Sequence, residues 1–274
     1  MKKIFFSLIA FIAISANCLA QSDILNLAYG NHAQQTLDLF LPKNFDEATP
    51  VIIMIHGGAW MMGGKEYTDK TSKDLRNLGF IVANIDYRYV SESVHSEDLL
   101  QDVDNAVSYV QKEGKKHGYN TKQVHMAGIS AGGHLSLLYG YTTKRIVKSI
   151  NAICPPTALD EVEMINHLKN VKLDSVVELL ADAKYKPESI QDEKFTLVSP
   201  CHRITRIPTL LIHGDNDHLV PYEQSSSLYM FLQERNVRSR LVTMKGKDHD
   251  AGMNDPITEK QALNAITEWV NTHN

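Results

Sequence analysis

Gly128-Ile129-Ser130-Ala131-Gly132 follows the apolar run Val124-His125-Met126-Ala127 and leads into Gly133-His134-Leu135-Ser136-Leu137-Leu138. The order reads as a strand, a sharp turn with serine at its apex, and a helix. Glycines on both sides of the serine tolerate a strained turn and let other backbone pass close by. The hydroxyl is thereby lifted above the sheet at the N-terminus of the next helix. That is how a nucleophile is presented. By itself the pattern also fits an ordinary turn of small residues, so its meaning rests on its surroundings.

On either side, short apolar runs recur at helix-sized intervals, over 37–41, 51–55, 81–85, 124–127, 150–154, 209–212 and 241–244. Each is nearly continuous rather than alternating, as expected of strands buried on both faces. Between them lie helical patterns, the clearest being Leu99, Val103, Ala106 and Val110, whose spacing places all four on one helix face. Strands alternating with helices predict an α/β chain built on a mainly parallel, doubly wound sheet with helices on both faces. Residues 155–200 interrupt the rhythm. There Leu159, Val162, Ile165, Leu168, Val176, Val177 and Leu180 fall at partly helical spacing, followed by a polar portion around Lys184 to Lys194. This stretch reads as a short insert of helices and loop over the strand ends, either a peripheral crossover or a lid facing the substrate. A short insert predicts an open site.

Residues 1–20 open with Lys2 and Lys3, run apolar over 4–14, and close with Cys18-Leu19-Ala20 ahead of Gln21-Ser22-Asp23. This is the shape of a secretory signal peptide. Its apolar core is shorter than the about 20 residues that span a bilayer. Cleavage is expected after Ala20, leaving 21–274 as a single catalytic domain that is secreted or periplasmic, with no stable membrane span. Lipidation at Cys18 is the alternative, although Ser15-Ala16-Asn17 is a poor context for it. The 28 Lys and Arg against 32 Asp and Glu give a net charge of −4, which argues against nucleic acid as a partner. Export would put Cys154 and Cys201 in an oxidising compartment, where they either pair across 155–200 or remain two buried thiols.

A serine hydroxyl attacks a carbonyl only with a base to take its proton, an acid to orient that base, and donors for the oxyanion. Each has a candidate. Lys247-Asp248-His249-Asp250 follows the run at 241–244, which sets His249 on a loop at a strand end and suits it to be the base. Ile212-His213-Gly214-Asp215-Asn216-Asp217 offers two aspartates just past the penultimate strand, with His218-Leu219-Val220-Pro221 beyond them. His56-Gly57-Gly58-Ala59-Trp60 stands directly after the strand at 51–55. Glycine there lets backbone amides reach a substrate oxygen, so Gly58 and Ala59, with Ala131 after the serine, are the expected oxyanion donors. Read alone, this segment is equally a tight turn with a core tryptophan. Trp60 and Ile129 are candidate substrate contacts, and Asp86-Tyr87-Arg88-Tyr89 a brace for the oxyanion loop or a structural ion pair.

Together these four segments resemble the α/β-hydrolase superfamily. Within it they are similar to the small esterases carrying His-Gly-Gly-x-Trp and Gly-x-Ser-Ala-Gly-Gly, a branch that includes carbohydrate acetyl and feruloyl esterases. That branch is related to the hormone-sensitive-lipase group and to prolyl-oligopeptidase-type hydrolases. The likeness runs from about Leu37 to the C-terminus. It departs from the hormone-sensitive-lipase pattern at Ala59-Trp60 and at Ile129, where glycine and aspartate are usual. The resemblance places the triad on Ser130, Asp217 and His249, because the second aspartate of G-D-x-D-x-x-V-P carries the acid in related sequences. Asp215 is then left to shape the turn. It also implies a serine carboxylic ester hydrolase with no cofactor or metal, acting on a small ester or an acylated carbohydrate through acetyl or feruloyl groups. An amidase or arylformamidase is the nearest enzymatic alternative, and a non-catalytic binding protein on the same scaffold is the other.

Overall fold

The computed structural model describes residues 22–187 and 191–274. The expected signal peptide, the cleavage after Ala20 and the Cys18 lipidation site lie outside the described residues. Eight strands form one sheet: β1 (Ser22–Ala28), β2 (Thr36–Leu41), β3 (Val51–Ile55), β4 (Ile81–Ile85), β5 (Gln123–Ile129), β6 (Ile146–Ile153), β7 (Thr209–Gly214) and β8 (Ser239–Met244). Their order is β1-β2-β4-β3-β5-β6-β7-β8. Only β2 runs against its neighbours; every other pair is parallel. The fold is the α/β-hydrolase arrangement. All five residues of β3 and of β4 are buried, because helices cover both faces of the central strands.

The helices are α1 (Asp69–Asn77), α2 (Ser96–His117), α3 (Ala131–Thr142), α4 (Val162–Asn170), α5 (Asp174–Ala181), α6 (Glu193–Leu197), α7 (Glu223–Glu234) and α8 (Pro256–His273). Leu75 of α1 and Ile266 of α8 pack with Ile52, Met54 and Ile212 on one face of the sheet. Leu99 of α2, Leu135 of α3 and Leu228 of α7 pack with Ile53, Ile55 and Leu211 on the other. Leu99, Val103, Ala106 and Val110 form the buried stripe of α2. That helix starts at a capping box of His95 and Asp98 and ends where Gly118 turns left-handed.

Several features go beyond the residue pattern. The edge strand β1 is half-exposed and carries a register shift between Ile24 and Leu27, so it lacks the continuous apolar signature of the inner strands. Val162, one of the apolar residues at partly helical spacing in the insert, is 44 % exposed at the start of α4. Of the two alternatives for Cys154 and Cys201, the structure holds them as two buried, unpaired thiols. Cys154 belongs to the core on the α1 and α8 side of the sheet, and Cys201 to the core on the opposite side. Among the described residues no helix is long and apolar enough to cross a membrane.

The strand order reverses at β3, whose neighbours are β4 and β5. A crevice opens at the carboxyl ends of strands at such a point, and both glycine-rich segments emerge there. Ile55 at the end of β3 pairs with Gly128 of β5, which brings the loop at 56–60 beside the turn at Ser130.

Candidate active site

Ser130 sits between β5 and α3 at φ 55° and ψ −122°, a conformation costly for a residue with a Cβ. Its amide donates to the Ile153 carbonyl at 2.7 Å, and its carbonyl accepts from the His134 amide at 2.9 Å, so both neighbours hold the turn in place. Gly132 explains how the two glycine-rich segments meet. A Cβ there would lie 2.1 Å from the Ile55 carbonyl oxygen and 2.5 Å from that of His56, so only glycine lets α3 abut the loop after β3.

His249 lies on the loop after β8, with Nε2 2.8 Å from Ser130 Oγ and Nδ1 2.8 Å from Asp217 Oδ2. The serine and the histidine are 119 positions apart in the chain. With Nδ1–H donating to the carboxylate, Nε2 is the acceptor for the serine hydroxyl. A chain of this geometry can carry a proton from hydroxyl to ring while the carboxylate holds the ring's orientation. The Asp217 side chain is fully buried and the His249 ring is 21 % exposed. Burial alone would raise the Asp217 carboxyl. The His213 and His249 rings and the Val220 amide outweigh it and hold the group well below the usual carboxylate range.

Asp217 is fixed from every side. Its Oδ1 accepts from the amides of Leu219 at 2.9 Å and Val220 at 2.8 Å. Its Oδ2 accepts from His249 and also, at 3.1 Å, from Nε2 of the buried His213. His213 Nε2 also faces the Val220 carbonyl at 3.0 Å, so this nitrogen carries the proton, and Nδ1 accepts from the Ser225 hydroxyl at 2.7 Å. Asp215 is elsewhere. It accepts from the Gly246 amide at 2.5 Å and pairs with Lys245 at 3.1 Å, tying the loop after β7 to the turn after β8. Asp248 also links the two loops, accepting at one oxygen from the amides of His218 and His249.

Gly58, at φ 113°, turns the loop after β3 where a Cβ would meet the Met62 carbonyl oxygen at 1.9 Å. Its own carbonyl accepts from the amides of Met61 and Met62, and Ala59 and Trp60 follow at φ 48° and 57°. Gly58, Ala59 and Ala131 line the cavity at Ser130, and among the described residues their amides donate to no other backbone group. The segment 86–89 buttresses this loop. Asp86 accepts from the Lys65 amide at 2.7 Å, the Tyr87 hydroxyl donates to the His56 carbonyl at 3.1 Å, and the Tyr89 hydroxyl donates to Gly63. Arg88 instead makes the ion pair, gripping both oxygens of the buried Asp102.

Ile129 and Trp60 both border the cavity. The Trp60 indole is only 3 % exposed, and its N–H donates to His134 Nδ1 at 3.2 Å, so most of the ring packs beneath the loop. His134 in turn donates from Nε2 to the Val198 carbonyl at 2.7 Å. Burial pushes its pKa down to about 4, which keeps the ring neutral and fit to accept from the indole. Cys154, His213 and Asp217 bring three potential metal-ligand atoms within 4.8 Å of one another. They suit a metal poorly, because both His213 nitrogens are engaged and burial raises the Cys154 thiol well above its ordinary value.

The sequence reading gave no role to His213, Asp248 or His134. His213 lies inside an ordinary buried strand, and nothing in the residue pattern marks it as facing a carboxylate.

Sheet order, elbow and relay define an α/β-hydrolase. The BD-FAE family model matches residues 37–232, and the chain belongs to that family. Among curated proteins it is 26 % identical over 248 residues to isoprenylcysteine alpha-carbonyl methylesterase ICME of Arabidopsis thaliana, covering 85 % of this chain and 58 % of that protein. It is 28 % identical over 261 residues to esterase LipC of Mycobacterium tuberculosis, covering 89 % and 63 %. The chain thus spans about three fifths of the length of these relatives. A truncated carbohydrate esterase from gut microbiota superposes with a TM-score of 0.76 at 23 % identity, covering 93 % of this chain and 99 % of that one.

Proposed function

We propose that the protein is a serine carboxylic ester hydrolase working through an acyl-enzyme on Ser130. The observation that carries this reading is the unbroken chain Ser130 Oγ, His249, Asp217, with 2.8 Å at each link. His249 Nε2 takes the hydroxyl proton as Oγ attacks the ester carbonyl, and the amides of Gly58, Ala59 and Ala131 receive the oxyanion. Loss of one such donor costs about 100- to 1,000-fold in rate. The imidazolium, steadied by Asp217, protonates the leaving alcohol. Water then attacks the acyl carbon, giving a proton to His249, which returns it to Ser130 Oγ as the bond to that oxygen breaks and the acid leaves.

The family resemblance favours acetyl or feruloyl groups on carbohydrate as the finer reading, and the carbohydrate-esterase structural relative is in keeping with it. Lys2, Lys3 and the apolar run at 4–14 favour export. A fluorophosphonate probe is expected to label the folded protein at Ser130, as mapped by peptide mass spectrometry. Folded protein that stays unlabelled would instead support the binding-protein reading. Acetate release from acetylated xylan and ferulate release from methyl ferulate test the finer reading.

His213 serves as a positioning residue for Asp217. His213→Phe removes one donor to Oδ2 and is expected to lower kcat about tenfold, the worth of one hydrogen bond to a charged group, with KM nearly unchanged. His213→Gln, whose amide can donate from a similar place, is expected to restore most of that loss. Equal losses in the two variants, or a change in KM alone, would rule the role out.

A further inference from the structure

The cavity beside Ser130 encloses about 660 Å³. Part of its lining comes from the insert, with Met164 and Leu168 from α4 and Val171 and Leu173 from the connection to α5. Leu219 and Met253, from the loops carrying the acid and the base, also line it. The insert therefore contributes to the lining, and Ser130 itself stays partly exposed. At the mouth, Met62 is 52 % and Tyr67 67 % exposed. Large apolar side chains kept in contact with water around a concave site mark a surface reserved for an apolar ligand.

Several side-chain polar groups in the lining are already engaged. The Asp250 carboxylate accepts from the Gly252 amide at 2.8 Å and from the Asn254 side chain at 3.0 Å. The Trp60 N–H is taken by His134, and the His249 ring by Ser130 and Asp217. A sugar ring in this space would bury hydroxyls against side chains from the insert that offer no partner, and unpaired buried hydroxyls are costly.

Resting on the serine-esterase reading above, we infer that this cavity takes an extended apolar chain of the substrate. The enzyme then selects esters carrying such a chain over simple acetates, which counts against acetylated carbohydrate as the substrate while keeping the serine-esterase reading, and the insert residues Val171 and Leu173 set that selectivity. An acetyl group fills a small part of 660 Å³ and leaves the apolar wall in contact with water. The chain belongs either to the acyl group or to the alcohol, and the two sources are separable by experiment.

The test is kcat/KM on two series, p-nitrophenyl esters from acetate to decanoate and alkyl acetates from ethyl to decyl, each with Ser130→Ala as control. In one series the rate is expected to rise roughly two- to fourfold per methylene up to about eight carbons, as transfer of each methylene from water predicts. A rise in the first series assigns the cavity to the acyl chain, and a rise in the second to the alcohol. Leu173→Asn, at a half-buried position that tolerates a polar group, is expected to cut the octanoate-to-acetate or octyl-to-ethyl ratio at least tenfold. Val171→Trp, which fills the space, is expected to move the optimum to shorter chains. Rates that are highest at the shortest member of both series, and that depend on Ser130, would overturn this inference while leaving the esterase reading intact. The absence of Ser130-dependent hydrolysis in either series would overturn both.

Discussion

Ser130→Gly is expected to abolish ester hydrolysis and at the same time to stabilise the fold. At φ 55° and ψ −122° the serine occupies backbone space that a Cβ makes unfavourable by about 1–3 kcal/mol. Glycine relieves that strain, although its freer unfolded chain takes back about 0.4–1 kcal/mol. A net gain of about 1 kcal/mol in denaturant unfolding is the outcome expected. Ser130→Ala keeps the Cβ and so keeps the strain; its stability should stay near that of the parent. Both variants lose the nucleophile, and turnover should fall by at least about 10⁴-fold, leaving what binding and the oxyanion amides supply without it. The pair separates chemistry from backbone. Activity within tenfold of the parent in either variant would remove Ser130 from the mechanism, and equal stability of the two would remove the strain argument.

Asp217→Asn is expected to cost about 10⁴-fold in kcat, whereas Asp215→Ala should leave kcat within a few-fold. The carboxylate accepts the His249 Nδ1–H at 2.8 Å and thereby keeps Nε2 as the acceptor for the serine. An amide that turns its N–H toward the ring reverses the tautomer and puts a proton where the serine needs a lone pair. Asp215 has no such role, being held by Gly246 and Lys245 on the far side of the turn. Losing it loosens a loop. Inactivity of Asp215→Ala alongside an active, folded Asp217→Asn would invert the assignment. The sign of the pH dependence follows from the same contacts. Because the folded Asp217 carboxyl sits well below its ordinary value, the stability it contributes is present above the unfolded carboxylate value, about 4. That stability is lost only as pH falls toward the lower folded value. A fall in activity at mildly acidic pH is therefore not Asp217 taking up a proton.

Much of this was legible in the residue pattern because buried parallel strands and amphipathic helices write their environment into local sequence. The runs at 51–55 and 81–85 are β3 and β4 to the residue, and the α2 stripe lies on one face as its spacing predicts. Reactive groups were also legible as positions, since Ser130, His249 and the aspartates each follow a strand and so must collect at one edge of a parallel sheet. Edge strand β1 escaped because half its side chains face water and leave no continuous apolar signal.

By itself the sequence determined the alternation of strands and helices, the end of the sheet at which the chemistry gathers, and the residue types gathered there. Burial and backbone preference are local properties that neighbouring residues encode. Only the tertiary structure decided that His213 shares the carboxylate of Asp217, and that Cys154 and Cys201 lie on opposite faces of the sheet. It also decided that α4 and the turn after it wall the cavity with apolar side chains. Those are contacts between groups dozens of residues apart, fixed by the crossing of chain segments in the packed core, and no local pattern records them.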